Sequence, residues 1–78
     1  MPTVLVEGPY RFFFYSGDSG EPPHIHVERE SMKAKFWLDP VRLANSRGFS
    51  RSELGRLQQL VEQYRAVFLR RWHEFFGD

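Results

Sequence analysis

Polar and apolar residues alternate most clearly between positions 22 and 39, where they predict a β-hairpin. In the run 22–28, Pro-Pro-His-Ile-His-Val-Glu, residues two apart point to the same face of a strand, so His24 and His26 stand side by side. Residues 32–39 alternate as well, and a turn at residues 30–31 pairs Glu28 with Lys33, His26 with Lys35, and His24 with Trp37. The opposite face then carries only apolar side chains: Ile25, Val27, Ala34 and Phe36.

Two shorter strands are predicted before the hairpin, at residues 3–7 and 10–15. The second contains Phe12, Phe13 and Phe14 in succession, so both of its faces must be at least partly covered. Glycines and prolines between residues 16 and 23 indicate a turn-rich loop that leads into the hairpin.

The segment 40–47 fits two structures. Asp39-Pro40 is a helix-start signal and Gly48 a stop signal, which favours a short helix. Val41 and Leu43 alternate with their neighbours, as in a short strand at the edge of a sheet. We favour the edge strand and keep the short helix as the alternative.

The C-terminal third predicts one amphipathic helix over residues 51–76. Ser50 and Glu53 form a capping box at its start. Its apolar residues recur at spacings of three and four: Leu54, Leu57, Leu60, Val61, Tyr64, Val67, Phe68, Trp72 and Phe75. Such a helix is about 39 Å long, whereas strands of five to seven residues span about 17–23 Å. The overhanging end, with Trp72 and Phe76, is therefore a candidate partner or dimer surface, unless it folds back over the sheet.

Together these elements predict an α+β fold in a single domain, residues 1–78. A small, mainly antiparallel sheet of three to five strands lies in residues 1–48, and one long C-terminal amphipathic helix in residues 49–76 packs on it. A chain of this length buries only about 60–65 % of its unfolded surface, so a homo-oligomer or a partner would add stability. Aromatic residues, 17 % of the chain, supply the core, because no cysteine is present to form a disulfide.

Charge and hydropathy exclude several classes of function. The formal net charge is +1 and both signs are mixed along the chain, which predicts no bulk electrostatic role such as wrapping DNA. Because no segment approaches the roughly 20 apolar residues of a membrane span, and no apolar run follows a charged start, we expect a cytoplasmic protein without membrane contact.

The histidine pair carries the candidate chemistry. Metal-free RNA cleavage needs a base, an acid and a cation for the phosphate, and His24, His26 and Lys35 are residues of those types. A solvated surface pair without any chemistry is the alternative. Two histidines hold a metal only with a third ligand, for which Glu28, Asp39 and His73 are candidates. Without cysteines or a strong ligand spacing, we predict no metal and no cofactor, and keep His24, His26 and Glu28 as the alternative metal set.

Other polar and aromatic residues are candidates for binding. Trp37 beside His24, with Arg11, Phe13 and Tyr15 on the neighbouring strand, is a candidate stacking platform for single-stranded RNA, unless its aromatic residues belong to the core. The arginines of the helix alternate with glutamates, as on a solvated face.

Histidine-triad nucleotide hydrolases also carry histidines at alternate strand positions. Here the third position is Glu28, and no glycine-rich loop opens a helix, so we reject that interpretation.

Four motifs in order give the chain a resemblance to a known family: residues 10–15 (YRFFFY), 22–27 (PPHIHV), 34–40 (AKFWLDP) and 47–50 (RGFS). The chain resembles, along essentially its entire length, the bacterial family called domain of unknown function 4160. The resemblance implies a product of a small two-gene operon, often beside a protein of the family called domain of unknown function 2442. It also implies a toxin component that is neutralised by a cognate antitoxin-like partner, but no agreed catalytic residues.

The function predicted from residues and resemblance together is a cytoplasmic toxin-type component of a two-gene toxin–antitoxin module. Its action on RNA would use the histidine pair on the sheet face. The alternative is a non-enzymatic protein-interaction module, including the antitoxin or regulatory half of such a pair.

Overall fold

A computed structural model describes residues 3–77, and in it five strands form one antiparallel sheet whose order follows the sequence. The strands are β1 (Thr3–Glu7), β2 (Tyr10–Phe13), β3 (His24–Arg29), β4 (Met32–Leu38) and β5 (Val41–Arg47). A short 3₁₀ turn (Asp18–Gly20) lies between β2 and β3. Two helices, α1 (Arg51–Gln63) and α2 (Arg65–Phe76), follow the sheet. The predicted α+β fold is thus confirmed.

The β3–β4 hairpin has the predicted register. Its strands place His24 opposite Trp37, His26 opposite Lys35 and Glu28 opposite Lys33. Glu30 adopts the left-handed conformation at the turn, with φ of 57°. The apolar residues of this hairpin lie on the face that the helices cover, and Ile25, Val27 and Phe36 are completely buried.

Residues 41–47 form the favoured edge strand rather than a short helix. It follows Asp39-Pro40, whose peptide bond is cis, and it pairs with β4 through a local irregularity after Lys35. Gly48 then ends the strand with a φ of 95°, and a Cβ atom there would lie 2.7 Å from Met32 Cγ. Glycine is therefore required where the chain leaves the sheet.

The predicted helix covers the expected residues but is interrupted at Tyr64, where φ is −102° and ψ is 13°. A straight helix of this length, about 39 Å, would exceed the longest dimension of the molecule, which is 34 Å. The interruption coincides with two anchors on the sheet. Tyr64 donates a hydrogen bond to Glu7 (3.2 Å), and Arg65 donates one to the Leu38 carbonyl oxygen (2.7 Å). The second half of the helix can therefore follow the sheet.

The core lies between the helices and one face of the sheet. Its fully buried side chains come from both layers: Phe12, Phe14, Ile25, Val27, Phe36, Leu38, Leu57, Val61 and Phe68. No helix within residues 3–77 is both long and apolar enough to cross a membrane.

The predicted N-cap is confirmed, because Ser50 Oγ accepts a hydrogen bond from the Glu53 amide at 3.1 Å. The reciprocal half of the capping box is not seen among the described residues, since the Glu53 carboxylate accepts a hydrogen bond from Tyr10 at 2.7 Å instead. We expect Ser50→Ala to lower the free energy of unfolding by about 0.5–2 kcal/mol, since that amide loses its partner. Ser52→Ala, at the second residue of the helix, is the control and should change the free energy of unfolding by less than about 0.5 kcal/mol. Urea titrations followed by circular dichroism measure both, and equal effects would contradict the assignment of the cap.

The two faces of the hairpin differ in a way that substitution can test. Ile25→Asp should unfold the domain, because it puts an unpaired charge into a fully buried position. Asn45→Asp adds the same charge to an exposed position of β5 and should leave the domain folded. Thermal melts distinguish the two variants, and similar losses of stability would refute the assignment of faces.

Candidate functional site

Three side chains, Asp18, His24 and His26, meet at one end of the sheet. Asp18 Oδ2 lies 3.2 Å from His24 Nε2 and 3.1 Å from His26 Nε2. The donor atoms of all three residues lie within 4.8 Å of one another. We call this set the His–Asp cluster. Two imidazoles and one carboxylate are donors of the type that binds divalent transition metals.

The 3₁₀ turn between β2 and β3 places Asp18. Asp18 Oδ2 accepts a hydrogen bond from the Tyr15 amide (2.9 Å), and the Asp18 amide donates one to the Tyr15 carbonyl oxygen (3.1 Å). The turn therefore closes on itself, and it presents the carboxylate to the strand that carries both histidines.

His24 is completely buried although it is a polar residue. Its ring lies against Trp72, at 5.0 Å between centroids, and against Trp37, at 5.6 Å. Its Nδ1 lies 2.9 Å from the Pro22 carbonyl oxygen, and because a carbonyl oxygen only accepts, Nδ1 carries a proton. His24 Nε2 is close enough to Asp18 for an ion pair, but it has no hydrogen-bond partner among the described residues.

His26 lies nearer to solvent, with 16 % of its side chain exposed. Phe13 stacks on one side of its ring and Tyr15 meets it edge-on. Burial lowers the pKa of His26 most, and the neighbouring His24 lowers it further, while Asp18 opposes both effects. Burial therefore favours the neutral form of the His26 imidazole.

Of the residues predicted for RNA cleavage, the structure brings His24, His26 and Lys35 close together but does not expose them equally. His24 is out of reach of a bulky substrate because it is buried. Lys35 lies across from His26 and binds Glu21, and this hydrogen bond holds the pKa of Glu21 below its usual value. Of the two histidines of the pair, His26 is therefore the accessible one.

The candidate third ligands from the sequence lie elsewhere. Glu28 pairs with Arg11 at 2.8 Å, Asp39 pairs with Arg65 at 2.8 Å, and His73 is exposed on α2. The set of His24, His26 and Glu28 is therefore not formed, and Asp18 takes the third position instead. One signal in the sequence points to Asp18. It lies in the short, turn-rich loop of residues 16–23, which leads directly into the strand that carries both histidines.

Cations dominate the β4–β5 half of the open face of the sheet. A shallow groove of about 400 Å³ is lined by His26, Lys33, Ala34, Asn45, Ser46 and Arg47. Lys33 and Arg47 lie directly opposite each other in the β-ladder. No carboxylate within residues 3–77 forms an ion pair with either of them, and Glu28, which lies across from Lys33, is occupied by Arg11.

The predicted stacking platform is only partly open. Phe13 is 1 % exposed, because Arg11 lies 4.1 Å from its ring centroid and covers it. Trp37 is half-buried, with Lys35 Nζ at 4.6 Å from its ring centroid. Tyr15 is 37 % exposed beside His26. Trp37 and Tyr15 are the aromatic residues that this face offers to a ligand.

The end of α2 folds back over the sheet, which was the alternative to a free overhang. Trp72 is only 2 % exposed and packs edge-on against Phe14, so it belongs to the core and is not a contact surface for a partner. Phe76 is partly buried against the same cluster. Phe75, at 43 % exposure, is the residue that remains at the surface.

Fold and site together define a small α+β domain with a His–Asp cluster at one end of an antiparallel sheet. Residues 10–73 match the protein family described as Domain of unknown function (DUF4160). Because the match covers most of the chain, the protein belongs to this family, as its motifs predict. Neither the curated proteins nor the solved structures contain a match.

The position of Trp72 leads to a prediction about the helix end. Trp72→Ala should lower the free energy of unfolding by about 3–5 kcal/mol, because it opens a cavity beside Phe14 and His24. Phe75→Ala should cost less than half as much, since that ring is partly exposed. Denaturant titrations compare the two variants. A Trp72→Ala protein as stable as wild type would show that the helix end does not pack as described.

Proposed function

We propose that this protein is a toxin-type component of a bacterial two-gene module and acts on RNA in the cytoplasm, with the open face of its sheet as the RNA-binding surface. The observation that carries the proposal is the cationic groove beside His26, in which Lys33 and Arg47 have no carboxylate partner among the described residues. The toxin part of the proposal rests on the two-gene setting that the resemblance to this family implies.

The pairing of Lys33 with Arg47 favours an anionic ligand. Like charges directly opposite each other on neighbouring strands destabilise a sheet, and both side chains are exposed. A phosphate group bound between them relieves this repulsion. Because the two cations lie on a rigid β-ladder, they are positioned before the ligand binds.

Aromatic surface next to the cations favours single-stranded nucleic acid. Proteins that bind single strands combine a cationic groove with aromatic rings on which bases stack. Tyr15 and Trp37 flank the histidine end of the groove, on either side of β3. A strand whose phosphates follow Lys33 and Arg47 would thus place a nucleotide near His26.

A second candidate function, a non-enzymatic interaction module, is favoured by a different surface. Phe75 and Phe14 border an open cavity of about 270 Å³ together with Thr3, Val4, Arg71 and Glu74. This patch is partly apolar and lies apart from the groove, because the two share no lining residue. In a toxin it would be the place for the antitoxin-like partner, and in an interaction module it would be the main functional surface.

Binding of single-stranded RNA tests the groove. Lys33→Glu combined with Arg47→Glu should weaken binding and make it less salt-dependent, with the slope of log K against log salt smaller by about 1.4 for two lost phosphate contacts. The control is Arg51→Glu combined with Arg70→Glu, which makes the same change of charge at exposed helix positions. Fluorescence anisotropy over a range of salt concentrations measures both slopes.

Induced expression tests the same pair of variants in cells. We expect wild type and the helix control to arrest growth, and we expect the neighbouring gene to relieve this arrest. The groove variant should not arrest growth. Equal RNA binding by all three proteins would refute the assignment of the groove as the RNA-binding surface. Absence of both RNA binding and growth arrest in wild type would instead favour the interaction module.

A further inference from the structure

We infer that Asp18, His24 and His26 bind one divalent transition-metal ion. The inference does not rest on the proposed action on RNA, because it concerns only the donor atoms of these three side chains. It revises the expectation from the sequence that the domain uses no metal. It also replaces Glu28 by Asp18 as the third ligand.

The strongest argument is the unpartnered nitrogen of His24. Nδ1 donates its proton to the Pro22 carbonyl oxygen, so Nε2 is the nitrogen that remains for another partner. Nε2 is fully buried, has no hydrogen-bond partner among the described residues and lies 3.2 Å from a carboxylate oxygen. A buried polar atom without a partner is costly, and a metal ion bound to both Nε2 and the carboxylate would supply that partner.

The two distances from Asp18 to the histidines match those between neighbouring ligands of one ion. Metals bind imidazole nitrogen and carboxylate oxygen at about 2.0–2.2 Å, so neighbouring ligand atoms lie about 2.9 Å apart in octahedral and about 3.4 Å apart in tetrahedral geometry. Asp18 Oδ2 lies 3.2 Å and 3.1 Å from the two Nε2 atoms. The distance between Asp18 and His26 also fits an ordinary hydrogen bond. The observation that favours a metal site is the unpartnered nitrogen of His24.

The residues around the cluster fix its side chains in the way that is usual for metal ligands. Metal-binding histidines usually donate their second nitrogen to a carbonyl or carboxylate oxygen, which fixes the tautomer and the ring orientation. His24 does this through Pro22, the first residue of a stiff Pro-Pro step. The rings of Trp72 and Trp37 pack around it and exclude water. Asp18 is held by the Tyr15 amide without the help of either histidine.

Three protein ligands leave coordination positions open. Structural zinc sites have four protein ligands, whereas two histidines and one carboxylate with open positions are typical of catalytic zinc and non-haem iron. Because Asp18 and His26 are partly exposed while His24 is buried, water or a further ligand would reach a bound ion from the solvent side. His26 also lines the cationic groove, so an anionic ligand bound there would approach the ion.

Metal binding by the chelator-treated full chain tests the inference. Isothermal titration with Zn²⁺ should give one site per chain, and Co²⁺ should produce visible absorption bands from bound nitrogen and oxygen ligands. Zn²⁺ should also raise the melting temperature. In long-range ¹H–¹⁵N NMR spectra, the Nε2 resonances of His24 and His26 should shift on addition of Zn²⁺, while those of His73 should not.

Matched variants assign the ligands. Asp18→Asn and His26→Gln should each weaken Zn²⁺ binding by at least about 100-fold, since loss of an outer partner alone costs about 10–100-fold. His73→Gln and Glu28→Gln remove an exposed histidine and the ligand predicted from the sequence, and both should bind as wild type does. Circular dichroism of the metal-free variants confirms that they are folded.

Three results would overturn the inference. The first is the absence of binding to wild type by Zn²⁺, Co²⁺, Ni²⁺, Mn²⁺ and, without oxygen, Fe²⁺. The second is binding that His73→Gln abolishes and Asp18→Asn does not. The third is a loss of stability in metal-free Asp18→Asn with no change in metal affinity, which would make the cluster a purely structural contact. None of these results bears on RNA binding through Lys33 and Arg47, so the two proposals fail separately.

Discussion

The burial of one polar ring, that of His24, is the constraint on which the rest of the site depends. Its neighbours come from four separate segments of the chain: the Pro22 carbonyl from the loop, Asp18 from the 3₁₀ turn, Trp37 from β4 and Trp72 from α2. A polar group with no access to water needs partners for both nitrogens. The contacts that enclose His24 therefore determine where the loop and the helix end must lie.

This arrangement gives the two faces of one sheet different tasks. The face under the helices is filled by aliphatic and aromatic side chains and provides the hydrophobic stabilisation. The open face holds ionisable groups in fixed positions because the β-ladder behind them is rigid. At the end of the sheet α2 reaches round to His24, so the core and the candidate site share Trp72.

The two proposals assign different parts of the open face to different chemistry. The His–Asp cluster offers imidazole and carboxylate donors in an enclosed corner, which suits a small cation. The groove at Lys33 and Arg47 offers exposed cations on a flat surface, which suits a polyanion. His26 belongs to both, since it contacts Asp18 and also lines the groove. A ligand held in the groove near His26 would thus lie close to the cluster.

Local patterns in the sequence determined most of the fold. Alternation gave the register of the hairpin, because a strand has a period of two, and the capping box located the start of α1. Asp18 and the interruption of the helix at Tyr64 depended on tertiary structure instead. Asp18 meets His24 only because the loop crosses the end of the sheet, and the helix is interrupted where Tyr64 and Arg65 are hydrogen-bonded to the sheet. Periodicity describes neighbours along one element, whereas these contacts depend on how separate elements pack.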